Sequence, residues 1–162
     1  MRKWLKVLSW TVGIITALLV ATFISLNVYI GKSKPVIEGE VAAVFLTDDV
    51  TVVRDSFGVP HIAAETDADL YRAQGYVQAQ DRLFQMDMAR RQASGRLSEV
   101  VGEAAIGTAK HYRTFSLRVA AEAYYDGYGE DAKNVHRWFA EGANAFIREE
   151  EGRKKLSVEF KN

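Results

Sequence analysis

Three side chains of the types found in a hydrolytic triad lie close together in the sequence: Asp55, Ser56 and His61. In that chemistry the histidine takes the serine proton and the carboxylate orients the imidazole. The Gly-x-Ser-x-Gly pattern that presents a strained serine at the end of a strand is absent from the sequence. The spacing therefore favours a local role for His61, bracing a turn by hydrogen bonding, over a role as general base.

The sequence contains no motif that predicts a metal or cofactor site. His111 and His136 are isolated from each other, and the chain has no cysteine, no His-x-x-x-His and no EF-hand loop, so we expect no metal site and no disulfide within it. Residues 127–132, Gly-Tyr-Gly-Glu-Asp-Ala, fit a loose dinucleotide pattern. That pattern needs a preceding strand, whereas residues 120–125 read as helix, so a helix break is the favoured interpretation and no cofactor-binding residue is assigned.

Four charged residues, Asp81, Asp87, Arg90 and Arg91, fall on a helix that we expect to be substantially buried. Asp87 precedes Arg90 by three positions and Arg91 by four, the spacings at which helical side chains meet. Half-removing a buried ion pair is costly, so these groups are predicted to fix the packing rather than to exchange protons. No catalytic residue is assigned.

The elements that position these residues begin with a hairpin. The β-branched run Val50–Val53 predicts one strand, Gly58 can take the positive φ of a turn, and Val59–Ala64 predicts the returning strand. Pro60 lacks a backbone donor, which places it on an edge or facing outward.

The chain after Thr66 predicts helices. Thr66 caps the first, which ends at Ser94-Gly95, and the second and third cover residues 117–128 and 131–150. The apolar stripe of the first predicts burial over much of its circumference, and it contains Leu70, Ala73, Tyr76, Val77, Leu83, Phe84, Met86 and Met88. The inner face predicted for the third contains Val135, Trp138, Phe139, Ala143, Phe146 and Ile147. The fold class is therefore mostly α with one β-hairpin, after an N-terminal transmembrane helix.

The N-terminal segment has no charged residue from Val7 to Gly31. As a helix, residues 7–30 span a hydrocarbon layer of about 30 Å, and the apolar run is longer than that of a cleaved signal peptide, so an uncleaved signal anchor is favoured. The basic residues Arg2, Lys3 and Lys6 predict a cytoplasmic N-terminus and a domain on the extracytoplasmic side of the membrane. The expected organisation is an anchor at 1–30, a linker at 31–45 and a domain at 46–162.

The charge balance gives no sign of a nucleic-acid partner. Lysine and arginine number 21, as do aspartate and glutamate. Because Arg2, Lys3 and Lys6 precede the apolar segment, the rest of the chain is slightly acidic. A basic patch of the kind that neutralises phosphates is therefore not expected.

Residues 54–102 match the pattern of a known protein family at many positions, which is a more specific signal than any short motif above. They read Arg-Asp-Ser-Phe-Gly-Val-Pro-His-Ile, then Gly-Tyr-Val-Gln-Ala-Gln-Asp-Arg-Leu-Phe-Gln-Met-Asp, then Arg-Arg and Gly-Arg-Leu-Ser-Glu, with Gly102 beyond. In these residues the chain resembles the penicillin acylase (penicillin amidase) family. Residues 156–160, Leu-Ser-Val-Glu-Phe, are similar to a Leu-Pro-x-Glu-Phe element of its small subunit.

The resemblance implies a hydrolase of the N-terminal-nucleophile type with an αββα sandwich. Its precursor is cut into a small and a large (beta) chain, and the serine that begins the large chain is the nucleophile, with its own α-amine as base. The implied reaction is hydrolysis of a linear amide, such as the acyl side chain of a β-lactam or an acyl homoserine lactone. The implied partner is the large chain, against which Leu83, Phe84, Met86 and Met88 are expected to pack.

This chain matches only the first part of the small subunit, so the resemblance places no catalytic, calcium or substrate residue on it. Calcium is expected only in the intact family enzyme. The chain by itself is expected to be an inactive N-terminal fragment. The alternative from a different class is a membrane-tethered, non-catalytic binding or regulatory module.

Overall fold

The computed structural model of the protein describes residues 2–31, 38–153 and 160. The chain divides into two compact units, Met1–Val36 with Lys155–Asn162, and Ile37–Lys154. The first unit contains helix α1, Arg2–Gly31. Its apolar stretch Val7–Tyr29 has a mean hydropathy of 2.2 and is long enough to cross a membrane, although a signal sequence has the same character. The apolar helix is confirmed, while its role as an uncleaved anchor stays a prediction.

The second unit begins with the predicted hairpin. Strands β1, Thr51–Arg54, and β2, Pro60–Ala63, pair antiparallel, with Thr51 opposite Ala63 and Arg54 opposite Pro60. Gly58 has a φ of 78°, which glycine adopts without the steric cost that a side chain adds. Pro60 and Ile62 point to the partly buried face of β2.

The long helix α2, Asp67–Ala93, begins and ends where its capping signals predict. The hydroxyl of Thr66 accepts a hydrogen bond from the Asp69 backbone N–H at 3.1 Å, and Gly95 beyond the C-terminus has a φ of 64°. The helix is kinked at Arg82, whose φ of −143° and ψ of 26° are not helical.

The burial predicted for α2 was too extensive. Its buried residues are Asp69, Ala73, Gly75, Val77 and Ala79, all in the half that precedes the kink. Leu70, Tyr76, Leu83, Phe84, Met86 and Met88 are half-buried. Small residues are buried in preference to large ones because another helix approaches this half closely.

Between residues 98 and 126 the chain forms shorter elements. Helices α3, Ser98–Val101, and α4, Ile106–Thr114, flank a 3₁₀ turn at Gly102–Ala105. Helix α5, Leu117–Asp126, lies within the predicted range of 117–128 and contains no buried residue.

The last helix, α6, Glu130–Arg153, packs along α2 and builds the main core with it. Ala79, Ala143 and Phe146 form the buried centre, and Tyr76, Leu83 and Met86 pack against it. Of the inner face predicted for α6, Ala143 and Phe146 are buried, while Val135, Trp138, Phe139 and Ile147 are half-buried.

Two glycines set the distance between these helices. A Cβ atom on Gly75 would overlap the carbonyl of Phe139 in α6, 2.9 Å from its carbon. A Cβ on Gly142 would overlap the carbonyl of Arg72 in α2, 2.7 Å from its carbon. The close crossing therefore depends on glycine at both positions.

Two predictions concern residues outside the described part of the chain. Residues 32–37 of the expected linker 31–45 lie there, and so do residues 156–159 of the Leu-Ser-Val-Glu-Phe element. The boundaries of the anchor, linker and domain stay predictions.

Candidate functional site

The hairpin turn is the most densely hydrogen-bonded feature near the candidate triad. One carboxylate oxygen of Asp55 accepts from the backbone N–H groups of Phe57 and Val59, each at 2.9 Å. The N–H of Gly58 donates to the Asp55 carbonyl at 2.9 Å, and the N–H of Asp55 donates to the Val59 carbonyl at 3.1 Å. The bond from Val59 is the largest influence on the pKa of Asp55, which is lowered. The main role of this carboxylate is therefore to hold the turn.

Arg54 fastens the turn to α2. Its guanidinium donates to both carboxylate oxygens of Asp81, at 2.8 and 2.9 Å, in a fork that a lysine cannot reproduce. It also donates to the carbonyl of Gly58 at 3.1 Å and to the side-chain oxygen of Gln80 at 3.1 Å. One arginine thus joins the strand end, the turn and the helix directly before its kink.

The hairpin and α2 enclose an open groove of about 470 Å³. Its walls combine apolar side chains with two carboxamides and two charged groups: Pro60, Ile62, Leu70, Gln74, Val77, Gln78, Asp81 and Arg82. Asp81 is already paired with Arg54, so the groove offers shape and hydrogen bonding but no nucleophile. It is suited to receiving a side chain or an extended segment.

The triad that the sequence formally allows is not assembled. His61 Nε2 lies 3.5 Å from Asp55 Oδ2, and the His61 side chain is 67% exposed. Within residues 38–153, no hydrogen bond joins Ser56 to His61. The local contact of His61 agrees with its predicted role, although Asp55 contributes most of the bracing.

A second polar cluster lies at the C-terminal end of α2. Asp87 accepts from Arg90 at 2.6 Å and from Arg91 at 2.7 Å, as the helical spacing predicts. Arg91 also donates to Glu99 at 2.9 Å, and Arg96 donates to the same carboxylate at 2.8 Å. Burial is the largest influence on the pKa of Asp87 and raises it, but Arg91 and Arg90 together outweigh burial, so the pKa is lowered. The cluster ties α2 to α3 through the bond from Arg91 to Glu99.

The other candidates have packing roles. The ring of His111 packs against Phe115 with centroids 4.7 Å apart, and His136 stacks on Tyr128 at 5.8 Å. In the part of the chain that the structure describes, no three acidic or histidine side chains come together as a metal site would require. Gly127 and Gly129 lie between α5 and α6, so a helix precedes them, as predicted.

Sequence reasoning missed one residue at the start of α2. No role is assigned to Asp69 from the sequence, yet this residue is fully buried and its side chain accepts from the backbone N–H groups of Thr47 and Asp48. No local pattern signals this burial, because the partners lie more than twenty positions earlier.

This chain matches a family profile and is similar to several known proteins. A profile described as penicillin amidase matches residues 49–162. Penicillin acylase 2 proenzyme of Pseudomonas sp. (strain SE83) is 39% identical over 113 residues, which is 70% of this chain and 15% of that protein. Penicillin G acylase of Escherichia coli is 37% identical over 62% of this chain and 12% of its own length.

Two other known proteins are also similar to this chain. Acyl-homoserine lactone acylase QuiP of Pseudomonas aeruginosa is 38% identical over 63% of this chain and 12% of that protein. The solved structure of a thermostable penicillin G acylase from Alcaligenes faecalis superposes with a TM-score of 0.62 at 35% identity, over 69% of this chain and 60% of the other. The chain therefore spans only a small part of the curated relatives it matches.

Proposed function

This chain belongs to the penicillin amidase family, and we propose that residues 49–162 form a non-catalytic scaffold at the start of an amide hydrolase. The observation that carries this proposal is how the most distinctive polar side chains are used. Arg54 and Asp55 build and fasten the hairpin turn, while Asp87 and Arg91 tie α2 to α3. Groups used in this way hold the fold and do not attack a substrate.

In this proposal the reacting groups belong to the large chain of the family protein and not to this chain. The mechanism is that of an N-terminal serine whose free α-amine takes the hydroxyl proton. An α-amine has a pKa near 8, about right for a base at neutral pH. Donors aimed at the developing oxyanion stabilise the tetrahedral intermediate, and water then releases the acyl group.

The substrate class is a linear amide that carries an acyl chain. Relatives named penicillin acylase and acyl-homoserine lactone acylase support this class, in the same region of sequence. Calcium, which the resemblance implies for the intact enzyme, does not fit the described residues, since they form no cluster of three acidic or histidine side chains. No described residue is therefore assigned to a calcium site.

The partner is the large chain of an αββα hydrolase. Exposed apolar side chains of the scaffold support this proposal, because large contiguous patches of exposed apolar side chains often mark protein interfaces. Phe57 at the hairpin tip is 90% exposed, and Val119 and Tyr124 of α5 are also exposed. Leu83 and Met86 pack against the core shared with α6. Contact with the large chain stays a prediction for Leu83, Phe84, Met86 and Met88.

An activity assay tests the non-catalytic part of the proposal. The purified full chain in detergent is incubated with a chromogenic phenylacetyl anilide and, separately, with an acyl homoserine lactone. We expect no release above buffer, while penicillin G acylase at the same concentration gives a signal. Hydrolysis that persists through purification and disappears in the Ser56→Ala variant would overturn the scaffold assignment and restore the triad.

The alternative is a membrane-tethered binding or regulatory module, which predicts a stable, self-sufficient fold. Far-UV circular dichroism with binding of a hydrophobic dye separates the two. A scaffold that lacks its partner exposes apolar surface and binds the dye, whereas a finished module gives a sharp transition and little dye fluorescence.

We also propose that α1 anchors the chain in the membrane with its N-terminus in the cytoplasm; protease protection of an N-terminal epitope in sealed vesicles tests this.

A further inference from the structure

Asp69 is a carboxylate that the fold has removed from water. Its side chain is 1% exposed, and its two oxygens accept from the backbone N–H of Thr47 at 3.0 Å and from that of Asp48 at 3.2 Å. Arg72 adds a hydrogen bond at 3.3 Å. Burying a carboxylate costs free energy unless its oxygens accept hydrogen bonds, so Asp69 can be buried only because it has these partners.

The segment that Asp69 holds has few other attachments of this kind. Within it, the N–H of Leu46 donates to the Ala43 carbonyl at 3.0 Å, which closes a turn. Phe45 stacks on Tyr76 of α2 with ring centroids 5.2 Å apart, and Tyr76 in turn meets Phe146 of α6 edge-on at 5.5 Å. We call residues 43–48 the entry segment, because the domain's packed structure begins there.

The charged groups facing Asp69 come from each element packed against it. Arg72 of α2 bridges Asp69 and Glu141 of α6, with its Nε donating to Glu141 at 2.8 Å. Arg137 of α6 lies 4.0 Å from the same glutamate. The entry segment itself presents the backbone of Asp48 to the carboxylate. The negative charge of Asp69 is thus balanced by one shared arginine and two backbone donors.

We propose that Asp69 is a latch: it holds the entry segment on the α2–α6 pair, and removing its charge releases that segment while the helix pair stays folded. The separation is physical, since α2 and α6 hold each other through Ala79, Ala143 and Phe146 without the entry segment. An asparagine at this position keeps one acceptor oxygen, carries no charge and turns an NH₂ donor toward the second N–H, so at least one of the two hydrogen bonds is lost.

Release frees residues 43–48 from the helix pair, and six residues of extended backbone cover about 20 Å. Burial raises the pKa of Asp69, but the bonds from Thr47, Asp48 and Arg72 together outweigh it and lower that pKa, so the latch stays closed at neutral pH and opens only in acid.

Amide hydrogen exchange, resolved to single residues by NMR on the full chain in detergent micelles, tests the latch. In Asp69→Asn we expect exchange of the Thr47 and Asp48 amides to accelerate about tenfold or more, the effect of losing a hydrogen bond to a charged group. Amides of Val77, Ala79 and Ala143 should keep their rates. The matched control is Asp87→Asn, a carboxylate whose partners are Arg90 and Arg91, which should leave the Thr47 and Asp48 amides protected.

An acid titration of the wild-type chain keeps the test decisive if the variant is unstable. The Thr47 and Asp48 amides should lose protection at a higher pH than the amides of α2 and α6. Two results would overturn the latch: unchanged protection of Thr47 and Asp48 in Asp69→Asn, or simultaneous loss of protection in the entry segment and the helix pair, in the variant or in acid.

Discussion

Replacing Gly75 by alanine tests the close crossing of α2 and α6. The added Cβ would lie 2.9 Å from the Phe139 carbonyl carbon and 3.1 Å from the Ala143 backbone nitrogen, both parts of the facing helix. Backbone atoms cannot rotate away as a side chain can, so the helices must separate by about 1 Å. Overpacking of this kind costs about 1–3 kcal/mol, occasionally more. Alanine returns about 1 kcal/mol through its higher helix propensity.

We therefore expect Gly75→Ala to lower the free energy of unfolding by up to about 2 kcal/mol, and the melting temperature by up to about 8 °C. The assay is thermal and urea unfolding followed by far-UV circular dichroism. Gly107→Ala is the matched control, because it lies in α4 with no atom within 4 Å of its added Cβ. That variant should be as stable as the wild type or slightly more stable.

A double variant adds a check on the reasoning. Gly142→Ala makes the reciprocal overlap with the Arg72 carbonyl, and one outward shift relieves both contacts. The two losses should therefore sum to more than the loss in the double variant. The account of the crossing is refuted if Gly75→Ala and Gly107→Ala have the same stability within about 0.5 kcal/mol.

Three further outcomes are expected. Arg54→Lys replaces the fork to Asp81 with a single contact and should cost about 1 kcal/mol, seen as faster exchange of the Val59 amide; unchanged exchange there contradicts the clamp. Asp87→Asn should cost about 1–2 kcal/mol in urea unfolding at pH 7, because Arg90 and Arg91 lose a charged partner; equal midpoints contradict it. Since the folded-state pKa of Asp87 is lowered from 3.8, its pairing stabilises the fold above that value and is lost as the pH falls through the lower one; the wild-type chain should therefore lose more stability than Asp87→Asn between about pH 5 and pH 2, and parallel curves would refute this.

Residues that lie within a few positions of each other predicted the hairpin, the ends of α2 and the ion pairs of Asp87. Gly58 and the β-branched run gave the hairpin, and Thr66 with Ser94-Gly95 gave both ends of α2. The spacing of Asp87, Arg90 and Arg91 gave their ion pairs, because neighbours on one helix are fixed by its pitch.

Features that depend on distant partners could not be predicted in this way. The burial of Asp69 depends on Thr47 and Asp48, and that of Gly75 depends on the Phe139 carbonyl of α6. The apolar stripe of α2 predicted burial over much of its circumference, but the close approach of α6 buries the small residues and leaves the larger ones half-buried. The helices between residues 98 and 114 are only four and nine residues long and are separated by the 3₁₀ turn that begins at Gly102, so no apolar period develops there.

The scaffold assignment is tested most directly by a chimera. The 113-residue region of penicillin acylase 2 proenzyme that matches this chain is replaced by the corresponding residues of this chain, and amide hydrolysis is measured. The account predicts hydrolysis by the chimera, and its reduction when Gly75→Ala is introduced. A chimera that is soluble and folded but shows no hydrolysis, beside an active unmodified proenzyme prepared in parallel, would contradict the account.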